Sequence, residues 1–179
     1  RAEKMEYFSD FNKVVATFNT HTQLTEADIF SNFLIYYTED GKAVFTGEPR
    51  IETDFGIGRA ETFNLLFVEN KLSHIEFVND CRLDFSFEEK EDFTNWLTAE
   101  KIDIFFQDKK PKSMLAETNV IYQIITEEEK NKTKEYSKND SASRKLQIVF
   151  TEENKIEEIR QMEDIQGSYL FKSANKKTQ

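Results

Sequence analysis

The sequence predicts an all-β fold of stacked antiparallel strands, and three observations support this prediction. Segments 33–37, 63–67, 102–106 and 146–150 repeat one pattern, with apolar first and third residues and an aromatic fifth residue. Phenylalanine is frequent at 17 residues, and aromatic residues favour strands. Short connectors containing Asn or Gly separate the apolar runs, as expected for hairpin turns. Together these features predict strand, turn and strand in succession.

The first, third and fifth residues of each repeat are predicted to share one face, because successive side chains of a strand point to opposite sides. That face consists of Phe33, Ile35, Tyr37, Phe63, Leu65, Phe67, Ile102, Ile104, Phe106, Leu146, Ile148 and Phe150. Burying these twelve side chains contributes roughly 20–35 kcal/mol as an upper estimate. The residues alone leave two uses open: the face fills a core, or it lines a groove between splayed sheets that holds lipid. Both uses can also hold at once, with one end packed and the other open.

A second repeated unit follows the strands. The segments 70–75 and 154–159 both read Asn-Lys-Φ-x-x-Φ, where Φ is an apolar residue. The segment 12–14 is a weaker copy, and 40–43 occupies the same place after the first strand. Since Asn and Gly tolerate the positive φ of tight turns, each unit predicts a turn followed by a strand.

Two segments also fit a helix, and two others are too polar for a core strand. Segment 25–30 could open a helix at Thr25, and segment 88–101 could place Phe93, Trp96 and Leu97 on one helical face. The polar runs 88–92 and 127–140 are expected to form surface loops or a mobile hairpin tip. The remaining chain is predicted to form a single β domain over residues 1–172, followed by a polar tail at 173–179.

The composition argues against several classes of partner. The net charge is −10, which disfavours nucleic acid because nucleic-acid binding depends on Lys and Arg side chains at phosphates. The same charge disfavours a polyanionic membrane surface. Cys81 is the single cysteine, so no internal disulfide can form.

No motif for catalysis or metal binding emerges, so we expect neither enzymatic activity nor a metal or other cofactor. His21 and His74 are the two histidines and lie far apart in the sequence, whereas a zinc site needs several closely spaced ligands. A Cys81–His74 nucleophile pair is formally possible, but a buried Cys81 and a His74 near a turn are the simpler interpretation. Gly56 and Gly58 resemble part of a phosphate-binding loop, yet they more plausibly mark a bulge or a bend of a strand.

Four segments share their pattern with a known family: 97–106, 60–63 with the strand that follows, 116–120 and 165–169. They resemble the OstA-like family, which comprises the LptA-type proteins and the periplasmic N-terminal part of LptD. Segment 116–120 is similar to the family's alanine-x-glycine-asparagine-valine segment, with Thr118 where glycine is expected. The resemblance extends over roughly residues 5–171.

This resemblance implies stacked antiparallel strands folded into an open V-shaped roll, also called a β-taco or β-jelly-roll. It implies a periplasmic, non-enzymatic protein that carries lipopolysaccharide or a related glycolipid in the apolar groove. Partners would be other envelope transport proteins or further copies, joined by pairing of edge strands. The net charge of −10 favours a neutral or lightly charged glycolipid over a heavily phosphorylated one. The first alternative is an interaction or scaffold module that recruits partners through its edge strands. The second is an enzyme of the closed-barrel type that uses Cys81 or a carboxylate.

Overall fold

Nearly all of the chain forms antiparallel β-strands. The structure, a computed structural model, describes residues 1–25, 27–53, 56–86, 95–130, 133–153 and 155–173. Within these residues the strands are β1 Lys4–Phe8, β2 Lys13–Gln23, β3 Asp28–Tyr37, β4 Lys42–Thr46, β5 Arg50–Thr53, β6 Gly56–Arg59, β7 Thr62–Val68, β8 Lys71–Phe85, β9 Asn95–Gln107, β10 Lys110–Lys130, β11 Thr133–Phe150, β12 Ile156–Met162 and β13 Gln166–Ser173. A single 3-10 turn, Ser9–Phe11, joins β1 to β2. None of the described segments is a helix that could span a membrane.

The strands form one sheet whose two halves have different strand orders. We call the first half the first wall; its order is β1-β2-β3-β4-β7-β8-β9-β10-β11-β12. The second wall uses the other halves of the long strands and has the order β2-β3-β5-β6-β8-β9-β10-β11-β13. The long strands therefore pass from one wall into the other.

The long strands bend at one common level, where the pairing register shifts. The shifts lie between Thr17 and Thr20 in β2, between Val78 and Cys81 in β8, and between Glu117 and Val120 in β10. Residues inside these gaps have positive φ, among them Asn19, Asn79 and Asn119 at 49°, 61° and 53°. Asn adopts this left-handed conformation more readily than most residues, so it can turn the strand sharply.

Glutamates on a neighbouring strand, or just before one, hydrogen-bond to the asparagines of these bends. The side-chain amide of Asn79 donates a hydrogen bond of 2.9 Å to the Glu61 carboxylate, and that of Asn119 donates one of 3.1 Å to Glu100. Asn19 makes the equivalent bond to Glu3. The repeated pairing holds adjacent strands together where the backbone ladder is interrupted.

The inner faces of the two walls pack against each other. Directly opposed residues share a face in an antiparallel sheet, so the register defines rows of side chains that cross the strands. In the first wall one inner row is Ala16, Leu34, Phe45, Phe63, Phe77, Ile102, Ala116 and Leu146. In the second wall the inner row is Thr22, Ile29, Ile51, Gly58, Leu83, Leu97 and Tyr122.

The walls approach closely at Gly58. A Cβ atom at this position would lie 2.7 Å from Cε1 of Phe77 in the first wall and 2.8 Å from Cγ2 of Ile51. Glycine is therefore needed here because it makes room for the Phe77 ring. The expectation that Gly56 and Gly58 mark a bulge or a bend is corrected, since Gly56–Arg59 is a regular strand paired with β5 and β8.

The predicted all-β fold of stacked antiparallel strands is confirmed, and the helical alternatives are wrong wherever the structure describes them. Asp28–Phe30 begins β3, and Asn95–Lys101 begins β9. Residues 88–94 of the second helical segment, together with the polar run 88–92, lie outside the described residues. The run 127–140 was expected to form a mobile hairpin tip or a loop, and its described part belongs to the two strands of a hairpin, because the β10–β11 ladder continues as far as Lys130 and Thr133. Of the predicted tail, Ser173 ends β13, and residues 174–179 lie outside the described residues.

Replacing Thr118 by glycine is expected to stabilise the fold. Thr118 has φ of 65°, which is costly for a β-branched residue. We expect Thr118→Gly to raise the free energy of unfolding by about 1 kcal/mol, since relief of strain exceeds the added entropy of the unfolded chain. Urea unfolding measures the change. The control Thr62→Gly, within β7, should lower the free energy of unfolding. If Thr118→Gly lowers it as well, the expectation is contradicted.

Enlarging Gly58 is expected to destabilise the contact between the walls. Gly58→Val should lower the free energy of unfolding by about 1–3 kcal/mol, because the new methyl groups overlap Phe77 and Ile51. The control is Ile57→Val on the opposite face of β6, which should change stability by less than about 1 kcal/mol. Equal effects in chemical unfolding would show that the walls do not meet at Gly58.

Candidate functional site

Most of the twelve residues predicted to share one face do lie on the inner surface. Phe63, Leu65, Ile102, Leu146 and Ile148 are buried in the central apolar cluster. The partly buried residues Phe67, Ile104, Phe106 and Phe150 pack against that cluster. The structure therefore brings nine of the twelve together, all from β7, β9 and β11. Whether they bind lipid stays a prediction.

The other three, on β3, were assigned to the wrong face. Phe33, Ile35 and Tyr37 are on the outer face, because Leu34 and Tyr36 pair with the buried residues Phe45 and Ala43. Phe33 is 43% exposed. Segment 33–37 is apolar at every position, so alternation could not determine which residues point inward.

The interior also contains apolar residues that the strand repeat did not predict. The pairs Leu72 and Ile75, and Ile156 and Ile159, all pack into the apolar cluster although each pair is three residues apart. A β-bulge lies beside each pair, where the register shifts between Leu66 and Phe67 and between Val149 and Phe150. A bulge adds one residue to a strand, so two side chains three apart reach the same face. The Φ-x-x-Φ spacing was the sequence signal for these bulges.

The middle of the interior is closed. Phe63, Phe77 and Ile102 are at most 1% exposed, and the Phe63 and Phe77 rings make an edge contact with centroids 4.6 Å apart. Tyr122 on the second wall is equally buried. This part of the face therefore fills a core, which was one of the two uses left open by the sequence.

Towards the N-terminal strands the walls separate and leave an apolar cavity of about 280 Å³. Its lining combines Thr22 of the second wall with residues of the first wall, chiefly Leu34, Tyr36, Ala43 and Phe45. Phe67 and Asn70 lie at its edge near the β7–β8 turn, and the Tyr36 and Phe67 rings meet edge to face at 6.4 Å. A cavity lined in this way can hold a narrow apolar group.

Both ends of the roll expose side chains from the inner rows. Met5 and Tyr7 on β1 continue the inner rows through Ala16 and Val14 but are 63% and 61% exposed. At the other end Tyr169 on β13, which continues the row of Ile124 and Asn139, is 67% exposed. The apolar interior is thus open at the edge strands.

The polar residues of the first wall form a network on the outer face. His74 Nε2 lies 2.8 Å from Asp103 Oδ1, and the His74 ring stacks on Phe105. The Lys101 ammonium bridges Asp103 at 3.0 Å and Glu76 at 2.9 Å. Burial would raise the pKa of the Glu76 carboxyl, but hydrogen bonds from Lys101 and Asn64 outweigh it and hold that pKa below its usual value. These pairs link β7, β8 and β9 and so stabilise the sheet.

Cys81 is buried, as the sequence predicted, and its thiol donates a hydrogen bond of 3.4 Å to the Glu100 carbonyl. Burial raises the pKa of the thiol to about 12, so it stays protonated at neutral pH and is a poor nucleophile. Cys81 belongs to the inner cluster, whereas His74 pairs with Asp103 on the outer face, so the two do not form a nucleophile pair. Among the described residues no three His, Cys, Asp or Glu side chains are grouped to hold a metal ion.

Comparison with solved structures identifies the fold as LptA-like. The chain is similar to LptH of Pseudomonas aeruginosa, described as the LptA-homologous periplasmic component of the conserved lipopolysaccharide transport device. The TM-score is 0.58 at 10% sequence identity, and the match covers 79% of this chain and 93% of LptH. No protein-family model matches the sequence, and no curated protein matches it. The V-shaped roll expected from the resemblance is thus confirmed as the fold.

The corrected phase of β3 leads to a test by charge insertion. Leu34→Asp should lower the free energy of unfolding by about 3 kcal/mol or more, because it removes apolar burial and places a carboxylate against Phe45. Phe33→Asp, one residue earlier and 43% exposed, should cost about 1 kcal/mol or less. Urea denaturation followed by circular dichroism compares the two. If Phe33→Asp lowers the free energy of unfolding more than Leu34→Asp does, then Phe33, Ile35 and Tyr37 point inward, as the sequence predicted.

Proposed function

We propose that this protein is a non-enzymatic carrier of lipopolysaccharide or a related glycolipid in the periplasm of a bacterial envelope. The acyl chains lie between the walls and the sugars remain in water. The observation that carries the proposal is the apolar cavity between the walls at the N-terminal end, lined by Leu34, Tyr36, Ala43 and Phe45. Each acyl methylene that leaves water contributes ~0.8 kcal/mol, so even a short stretch of chain binds measurably.

The twelve residues of the sequence prediction take different parts in this proposal. The nine inward ones line the path of the acyl chains, with Phe67 at the open cavity. Leu34 and Tyr36 take the place of Phe33, Ile35 and Tyr37 in the lining. The closed middle near Phe63 and Phe77 requires the walls to move apart before a chain can pass towards β12 and β13.

Partners would join at the exposed edges. The strands β1 and β12 end the first wall, and β13 ends the second. Each edge offers unpaired backbone groups beside an inner row, so an added strand would extend both the sheet and its apolar lining. Envelope transport proteins or further copies of this chain fit this role, and the fold shared with LptH supports it.

The second candidate is a scaffold module that recruits partners through the same edges and binds no lipid. The closed middle of the interior favours it, because well-packed side chains leave no room for a guest. The two candidates differ in one property, which is the presence of bound acyl chains.

Native mass spectrometry of the protein purified from bacteria separates the candidates. We expect bound glycolipid under the carrier proposal and none under the scaffold alternative. Ala43→Phe should abolish binding because the new ring fills the cavity, and Thr22→Phe should do the same from the second wall. Val44→Phe, on the outer face beside Ala43, is the matched control and should retain lipid. If all three variants and the unaltered protein carry no lipid, the carrier proposal fails.

The same experiment tests the class of headgroup. From the net charge of −10 we expect neutral or lightly charged glycolipids to be preferred. Binding that strengthens with each added phosphate would contradict this preference and leave the carrier role intact.

A further inference from the structure

The hairpin turns that end the first wall share a charge pattern. We call these turns the rim; among the described residues it consists of 8–13, 38–42, 69–71, 108–110, 152–153 and 155. A lysine follows each turn, at Lys13, Lys42, Lys71, Lys110 and Lys155. The first four of these begin β2, β4, β8 and β10, and Lys155 immediately precedes β12. The rim thus presents at least one ammonium group for each hairpin, and Lys109 adds a second one to the 108–110 turn.

These lysines point away from the interior. The residues that follow them, such as Ala43, Leu72 and Ile156, pack into the apolar cluster. Because side chains alternate along a strand, Lys42, Lys71 and Lys155 lie on the outer side of the rim. The Asn-Lys-Φ unit of the sequence therefore combines a turn, an outward cation and an inward anchor.

Each turn also carries a carboxylate just before its lysine. These carboxylates include Asp10, Asp40, Glu69, Asp108 and Glu153. With six lysines and seven carboxylates the rim is close to neutral, in contrast to the strongly acidic chain as a whole. A rim of this kind attracts neither a polyanion nor a polycation, and it complements a surface that itself carries paired charges.

The first turn of the rim adds exposed aromatic rings. Phe8 and Phe11 are 39% and 68% exposed, and the Lys13 ammonium lies 5.3 Å and 5.2 Å from their ring centroids. Met5 and Tyr7 on the adjoining edge strand are exposed as well. Aromatic rings beside a lysine are typical of segments at a membrane–water interface, where the ring enters the headgroup layer and the ammonium stays at the phosphates.

From this arrangement we infer that the rim docks on a zwitterionic phospholipid surface. Phe8 and Phe11 enter the headgroup layer, the rim lysines meet lipid phosphates and the rim carboxylates meet lipid ammonium groups. The net charge of −10 acts against anionic lipid, so the proposed surface is electrically neutral. This inference goes beyond glycolipid carriage, because it concerns contact with a bilayer and does not require an occupied cavity.

Vesicle flotation with the full chain tests the inference. The unaltered protein should float with phosphatidylcholine or phosphatidylethanolamine–phosphatidylcholine vesicles, with no gain when phosphatidylglycerol is added. Phe11→Ser should weaken the partition about tenfold, and Phe8→Ser with Phe11→Ser should abolish it. Reversing two cations in Lys42→Glu with Lys71→Glu should also weaken binding.

Phe18→Ser is the matched control, because Phe18 lies on the same strand β2 and is 53% exposed but sits at the bend away from the rim. It should bind vesicles like the unaltered protein, and circular dichroism confirms folding of each variant. The inference is overturned if the unaltered protein binds no vesicles or binds only anionic ones. It is also overturned if the variant with Phe8→Ser and Phe11→Ser binds as well as the unaltered protein, or if Phe18→Ser loses as much binding as that variant. Ala43→Phe separates the two proposals: it should lose glycolipid while retaining vesicle binding.

Discussion

The fold depends on the long strands bending together at one level. A flat sheet of this length would leave one apolar face in water. The paired residues of positive φ, such as Asn79 with Asp80 and Thr118 with Asn119, fold the sheet back on itself so that two inner faces meet. Each bend costs backbone strain and interrupts the hydrogen-bond ladder. Bonds such as Asn79–Glu61 restore part of that loss.

The bend also determines how far apart the walls lie. In the middle, Gly58 lets the Phe77 ring reach the second wall, and the interior closes. Nearer β2 and β4, small residues such as Ala43 and Thr22 face each other and a cavity remains. One interior therefore combines a packed core with an open end. Core packing and ligand binding are divided along the roll rather than being alternatives for the whole chain.

Charge is distributed on this scaffold according to location. On the outer face of the first wall, carboxylates pair with lysines across strands, as in the Glu76–Lys101–Asp103 network. These partly buried pairs hold neighbouring strands together and offer no reactive group. At the rim each turn carries a lysine and a carboxylate of its own, and in the last turn Lys155 pairs with Glu153 at 3.3 Å. The same residue types thus join neighbouring strands in one place and lie at the turns in another.

The sequence by itself determined the strand class and most of the inner face. In segments 63–67, 102–106 and 146–150 the alternation was enough to predict which residues point inward. The second residue of each segment is polar (Asn64, Asp103 or Gln147), so only the other face could be the apolar one. The resemblance that placed Thr118 where glycine is expected matches its φ of 65°. Local patterns carry this information because strand geometry and backbone conformation depend on near neighbours.

Only the tertiary structure decided which residues of β3 point inward, why residue 58 must be glycine and how far apart the walls lie. Segment 33–37 is apolar on both faces, so its inward residues were settled by pairing with Phe45 and Ala43 of β4. Gly58 is required by Phe77, which is nineteen positions later and reaches it across the interior. Contacts of this kind arise only when the bent strands bring distant residues together, and no local pattern of amino acids encodes that distance.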